Sequence, residues 1–155
     1  MNLDRILTIK KTTMFVAAAL LLFAIGCGDG RGTRVPVSGT VTINGSPLTT
    51  GSVTFLPEAG SVNSRAGAGT LDSDGRFRVT SYKAFDGLLR GKYSVIITSS
   101  EEIGPTTYLW HAPRQYSLPG QSNLTAEIES ETDELKFALT WETDPDHSAP
   151  YEEKQ

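Results

Sequence analysis

The most restrictive feature of this sequence is a repeated alternation of apolar and polar residues in short segments separated by turn residues. In "VPVSGTVTING", Val37, Val41 and Ile43 share one parity and polar side chains take the other. A period of two residues predicts a strand with one buried face. The same pattern recurs through Val53 and Phe55, Phe77 and Val79, Tyr93, Val95 and Ile97, Leu124, Ala126 and Ile128, and Phe137 and Leu139.

Turn residues divide these segments. Asn44-Gly45 and Asp74-Gly75 tolerate positive φ, so each predicts a tight turn, the second within a hairpin over "LDSDGRFRV". Asp72 and Asp74 resemble the start of a calcium loop, but arginines and a phenylalanine follow where oxygen ligands are needed, which favours a turn. About seven strands, with no convincing helix after residue 26, predict an all-β antiparallel sandwich.

The N-terminus has the layout of a secretory signal. Three basic residues in positions 1–13 precede an apolar block from Met14 to Ile25, as in the n- and h-regions of a signal peptide. The block is shorter than the ~20 residues that a membrane-spanning helix needs. We therefore expect residues 1–26 to be a signal peptide.

The end of this block resembles the lipobox of bacterial lipoproteins, in which small residues precede a lipidated cysteine. Ala24 stands where that motif usually has leucine, and Gly26 precedes Cys27. The resemblance implies lipidation of Cys27, which becomes the new N-terminus and anchors the protein in an envelope membrane. Gly28 after the cysteine favours the outer membrane. A free thiol in a soluble exported protein is the alternative.

Composition divides the rest of the chain. "GDGRGTR" makes residues 27–34 a flexible tether, and residues 35–140 hold the strands. Residues 141–155 form an acidic, proline-containing tail that we expect to be disordered. Residues 127–155 carry ten acids and two bases, and no basic run suggests nucleic acid. We expect attachment to a membrane to come from the lipid and not from charge.

The segments "VPVSGTVTINGSPLTTGSVTFLP", "GTLDSDGRFRV" and "GLLRGKYSVIIT" resemble the carboxypeptidase regulatory-like domain. The resemblance covers roughly residues 35–140 and implies a transthyretin-like, or prealbumin-like, sandwich. Members of this family are regarded as accessory folding, spacer or adhesion modules. The resemblance is informative about fold and nearly silent on chemistry.

The sequence does not indicate an enzyme. It has two histidines, His111 and His147, and none of the nucleophile, zinc or phosphate-binding motifs. The C-terminal "APYEEKQ" also departs from the Tyr-Arg-Gly-Ser ending of the hydroxyisourate hydrolases within the transthyretin-like group. We expect no catalytic residues, no metal site and no cofactor.

Two non-enzymatic functions remain open. The sandwich is either a structural or protein-interaction module, or a glycan-binding module that stacks sugars on aromatic side chains of residues 100–123. We expect that segment to be the longest irregular connection, and such connections often carry recognition. The alternative is that its aromatics pin the loop to the sandwich. The candidate contact residues are Tyr108, Trp110, His111, Arg114 and Tyr116.

Overall fold

The computed structural model describes residues 32–59 and 65–154. The chain divides into two units, Met1–Gly32 and Thr33–Gln155, and the strands described below belong to the second. The expected signal peptide, Cys27 and most of the tether lie outside the described residues. No helix among the described residues is long and apolar enough to cross a membrane.

The described chain is built from strands, which confirms the expected all-β fold. Two short 3-10 helices, Arg114–Ser117 and Trp141–Thr143, interrupt it. The strands are β1 Val37–Ile43, β2 Ser46–Pro47, β3 Ser52–Pro57, β4 Gly67–Thr70, β5 Arg76–Arg78, β6 Gly91–Thr98, β7 Ser100–Gly104, β8 Thr107–Trp110, β9 Leu124–Ile128, β10 Thr132–Leu139 and β11 Tyr151–Lys154.

Two four-stranded sheets form the sandwich. In one sheet β1 pairs with β10 on one side and with β2 and β5 on the other. The other sheet has the order β4-β3-β6-β9, with all pairs antiparallel. β6 lies between β3 and β9 and is therefore a central strand of this sheet. The inner faces of both sheets supply a single core.

Aromatic rings join the two sheets at the centre of this core. Phe55 of one sheet lies 5.9 Å from Phe77 and 6.2 Å from Phe137 of the other, measured between ring centroids. Tyr93 meets the edge of Phe55 at 6.3 Å. All four side chains are buried, and the exposed Arg76 flanks Phe77 on the outer face. The strand parity predicted from the alternation is therefore confirmed.

One strand pair departs from the antiparallel pattern, because β1 and β10 run parallel. They come from opposite ends of the domain, so no short turn constrains their direction. The pair is close at Gly39, where a Cβ would overlap the carbonyl oxygen of Leu135. Glycine at this position lets the two backbones approach.

The turn at Asp74-Gly75 is present, but it joins the two sheets. The Oδ1 atom of Asp72 accepts hydrogen bonds from the N–H groups of Asp74 and Arg76, both at 2.9 Å. Gly75 has a φ of +71°, as the tight turn requires. Beyond the turn β4 pairs with β3 and β5 pairs with β1. Backbone pairing between the two arms is therefore limited to the turn, where the Asp72 N–H donates to the Arg76 carbonyl at 2.9 Å, and to a bridge between Ala68 and Thr80.

A third, three-stranded sheet with the order β11-β8-β7 contains two segments that we expected to be irregular. Part of residues 100–123 forms the β7–β8 hairpin. Tyr151–Lys154, within the tail that we expected to be disordered, pairs antiparallel with β8. In both segments strand pairing satisfies backbone groups that composition alone leaves to solvent. The pairing is local in the β7–β8 hairpin and long-range between β8 and β11.

Candidate functional site

Two of the five candidate contact residues are buried. Trp110 is 6% exposed and Tyr116 is 5% exposed, so neither ring can stack on a ligand from solvent. The Tyr116 hydroxyl is 3.2 Å from the Thr143 hydroxyl and 3.3 Å from the backbone nitrogen of Thr140, whose N–H donates to it. These aromatics pack the segment against the domain, as the alternative interpretation held.

Glu153 of the C-terminal strand contacts two of the candidate residues. The indole N–H of Trp110 donates to Oε2 of Glu153 at 2.9 Å, and the Arg114 guanidinium donates to Oε1 of the same carboxylate at 2.7 Å. His111 is half-buried and lies 3.6 Å from a Glu101 carboxylate oxygen. Only Arg114 is clearly exposed, and Tyr108 is half-buried.

A different loop exposes its aromatic side chains. Tyr82 is 40% exposed and Phe85 is 50% exposed, three residues apart in the loop that leaves the sandwich after Val79. Among the described residues, one other large apolar side chain, Ile103, is comparably exposed. Single exposed apolar residues are ordinary, whereas a close pair is a candidate contact surface.

Hydrogen bonds hold this loop in a fixed shape. The Asp86 carboxylate accepts from the backbone N–H groups of Ser81 at 2.7 Å and of Tyr82 at 3.2 Å. The Phe85 N–H donates to the Thr80 hydroxyl at 3.0 Å, and Phe85 has a φ of +58°. Bulky residues rarely adopt this conformation, and such strain concentrates at functional positions.

Guanidinium groups stack on both exposed rings. Those of Arg34 and Arg65 lie 4.2 Å and 4.7 Å from the centroid of Tyr82, and that of Arg78 lies 4.2 Å from the centroid of Phe85. Lys83 is exposed between the two aromatics in the sequence. We call this set the basic aromatic face: Arg34, Arg65, Arg78, Tyr82, Lys83 and Phe85.

The acid that holds the loop of this face, Asp86, is already paired. Asp86 is 3.7 Å from Arg34. Burial raises the pKa of Asp86, but the N–H groups of Ser81, Lys83 and Tyr82, together with Arg34, lower it more, so the net shift is downward. The carboxylate is therefore charged at neutral pH and acts as a structural clamp for the loop.

A groove with a volume of about 860 Å³ adjoins the face where β4 and β5 part. Arg76, Arg78 and Phe85 line it together with the small residues Ala68 and Gly69. No ion pair to Arg76 or Arg78 is found within the part of the chain that the structure describes. The groove therefore places Arg76 beside the basic aromatic face, together with the carboxylates of Asp72 and Asp133, which also line it.

The sequence does not reveal this face, because its cations are far apart along the chain. Arg34 and Arg78 are separated by 44 positions, and no basic run marks them. The motif "SYKAF" around Tyr82 and Phe85 was the available signal, since two aromatics flank a lysine just after a strand.

The described residues contain no group of three or more His, Cys, Asp or Glu side chains able to hold a metal ion. Comparison with family models, curated proteins and solved structures finds no match to this chain.

Proposed function

We propose that this chain is a non-enzymatic lipoprotein of a bacterial envelope, anchored through an acylated Cys27, whose sandwich is an interaction module. Its membership of the carboxypeptidase regulatory-like group is part of the proposal and rests on the resemblance of residues 35–140. The apolar block and the lipobox-like end at Cys27 support export and lipidation. The sandwich supports a role that depends on surface contacts.

The observation that carries the interaction role is Phe85. Its ring is half exposed and lies under a guanidinium, and its backbone is held at positive φ by a dedicated hydrogen bond. An exposed aromatic in a conformation that costs of order 1–3 kcal/mol contributes little to the core. Aromatic and arginine side chains are also those that most often dominate binding interfaces. The basic aromatic face is therefore our contact surface.

The glycan hypothesis loses its original basis. It placed sugar stacking on Tyr108, Trp110 and Tyr116, and the last two rings are buried. Aromatic stacking on a sugar needs a ring face open to solvent. We therefore do not propose glycan binding by residues 100–123.

The anchor is tested by intact mass spectrometry of the chain purified from membranes, beside a Cys27→Ser variant. We expect loss of residues 1–26 and a mass increase equal to a lipid group. The variant, lacking the thiol that forms the thioether, should leave the membrane fraction. An unmodified Cys27, or a Cys27→Ser chain that remains bound to membranes as firmly as wild type, would refute the anchor.

The contact role is tested separately by crosslinking in cells from benzoylphenylalanine at position 85, with the same group at Ile103 as control. Ile103 is 46% exposed and lies on β7, outside the basic aromatic face. We expect adducts from position 85 alone. Equal labelling from both positions, or none from position 85, would contradict a contact surface there.

A further inference from the structure

We infer that the basic aromatic face docks on the anionic headgroup surface of the membrane that holds the lipid anchor. This inference rests on the proposed function and identifies the partner of the same surface. It requires that the face lie near the anchor, that its chemistry suit a headgroup layer, and that its charge be available.

The chain enters the domain at this face. Arg34 stacks on Tyr82, and Val35 is bridged to Leu88 by two backbone hydrogen bonds of 2.8 and 3.1 Å. Arg34 is seven residues after Cys27, and seven extended residues span at most about 25 Å. A lipid on Cys27 therefore keeps Arg34, where the chain enters the face, within that distance of the bilayer.

The chemistry of the face suits the boundary between water and lipid. Arginine and lysine bind phosphate groups of lipids, and aromatic rings favour the headgroup level. Here both exposed rings lie beside guanidinium groups, so each ring can enter the headgroup layer together with a cation. No other pair of large exposed apolar side chains occurs so close together in the sequence among residues 32–59 and 65–154.

The cations of the face form few ion pairs. Of the acids near its four cations, Asp86 is engaged by Arg34 and by backbone N–H groups. Glu131 and Asp133 line a pocket together with Arg78 and Phe85, and among the described residues neither forms an ion pair with the face. Lys83 and Arg78 are exposed and have no acidic partner among the described residues. Positions 127–155 carry ten of the acidic residues, and of these Glu131 and Asp133 lie at the border of the face.

The test uses the full-length chain as the cell processes it, reconstituted in vesicles of phosphatidylcholine alone or with one third phosphatidylglycerol. Benzoylphenylalanine at position 85 is photolysed, and lipid adducts are measured by mass spectrometry. Position 103 is the control. We expect adducts at position 85 to be several-fold more abundant in the anionic vesicles, and position 103 to give few in either.

Matched variants test the charge dependence. Arg78→Gln and Lys83→Gln remove cations of the face, whereas Lys92→Gln removes an exposed cation that pairs with Glu127 outside it. Each removed cation of the face should lower the adduct yield up to about five-fold, and added salt should lower it further. Circular dichroism confirms that each variant is folded.

The outcomes separate docking from anchoring. Three results would overturn docking but leave the anchor intact, provided that the protein floats with the vesicles. These are no adducts at position 85, equal adducts at positions 85 and 103, or equal adducts at position 85 in the two vesicle types. In a further outcome, the protein fails to float after reconstitution and yet gives adducts at position 85 when it is mixed with anionic vesicles. That result supports docking and refutes the anchor. Protein that neither floats nor gives adducts at position 85 overturns both the anchor and docking. Crosslinks in cells from position 85 to protein instead of lipid overturn docking in favour of a protein partner.

Discussion

At the scale of single residues, Phe77 should contribute strongly to stability. Its ring is 2% exposed and lies 5.9 Å from Phe55 and 6.1 Å from Phe137. Phe77→Ala should lower the free energy of unfolding by about 3–5 kcal/mol, because it leaves a cavity between the sheets. Arg78→Gln, at the next position on the exposed face, should cost less than about 0.5 kcal/mol. Urea unfolding compares the two, and equal small losses would contradict the strand parity.

Asp86 predicts a pH dependence that belongs to the loop of the basic aromatic face. Its pKa is lower in the folded chain than the ordinary value of about 3.9. Its charge therefore stabilises the fold above pH ~4, and this contribution is lost as the pH falls through the lowered pKa. Asp86→Asn should be less stable than wild type at neutral pH.

The pH profile of the Asp86→Asn variant tests this assignment. The stability difference between wild type and Asp86→Asn should be constant near neutral pH and should shrink below pH ~4, where wild type also loses the charge. Asp74→Asn is the matched variant, since no structural hydrogen bond to the Asp74 side chain is found within the described residues. Thermal unfolding at several pH values measures both, and a difference that grows toward low pH would contradict the assignment.

At the scale of elements, the alternation predicted the strands of the sandwich better than their partners. Val53 and Phe55, or Tyr93 and Val95, determine which face of a strand is buried from local sequence alone. Pairing depends on distant segments, and the parallel β1–β10 pair and the split of the Asp74-Gly75 hairpin between two sheets escaped prediction. The tail escaped because its acidity outweighed a weak alternation, in which Tyr151 and Glu153 point toward the domain.

Strand β11 predicts a fluorescence change, because it contacts both tryptophans of the chain. Glu153 accepts from the indole of Trp110, and Tyr151 meets the ring of Trp141 edge-on at 6.1 Å. Deleting residues 151–155 should expose both indoles and shift their emission to longer wavelength. The main core should survive, because none of its members comes from β11.

The control for this deletion is Glu152→Gln, whose side chain is exposed on the same strand. It should leave the emission unchanged. Near-native far-ultraviolet circular dichroism should accompany the red shift in the deleted chain. A deleted chain with wild-type emission would show that the strand does not cover the tryptophans in solution.

At the scale of the whole molecule, the fold was predictable and the contact surface was not. The apolar residues that form the core face of a strand recur every two positions within one segment, so a single sequence reveals them. The basic aromatic face is assembled from Arg34, Arg65, Arg78 and the Tyr82–Phe85 loop only after both sheets have formed. Its cations are dispersed in the sequence, and nothing local distinguishes them from solvated surface charges.

The whole sandwich should unfold cooperatively without support from a metal or a disulfide. Its core cluster is formed by buried side chains between Val35 and Leu139, and the chain has one cysteine, at position 27 before the domain. Chelator and reductant should therefore leave the Tm of the exported chain unchanged. A structural metal contributes enough free energy that its removal would lower Tm by more than about 10 °C. A fall of that size with chelator, measured by circular dichroism, would show that the hydrophobic core alone does not hold the two sheets together.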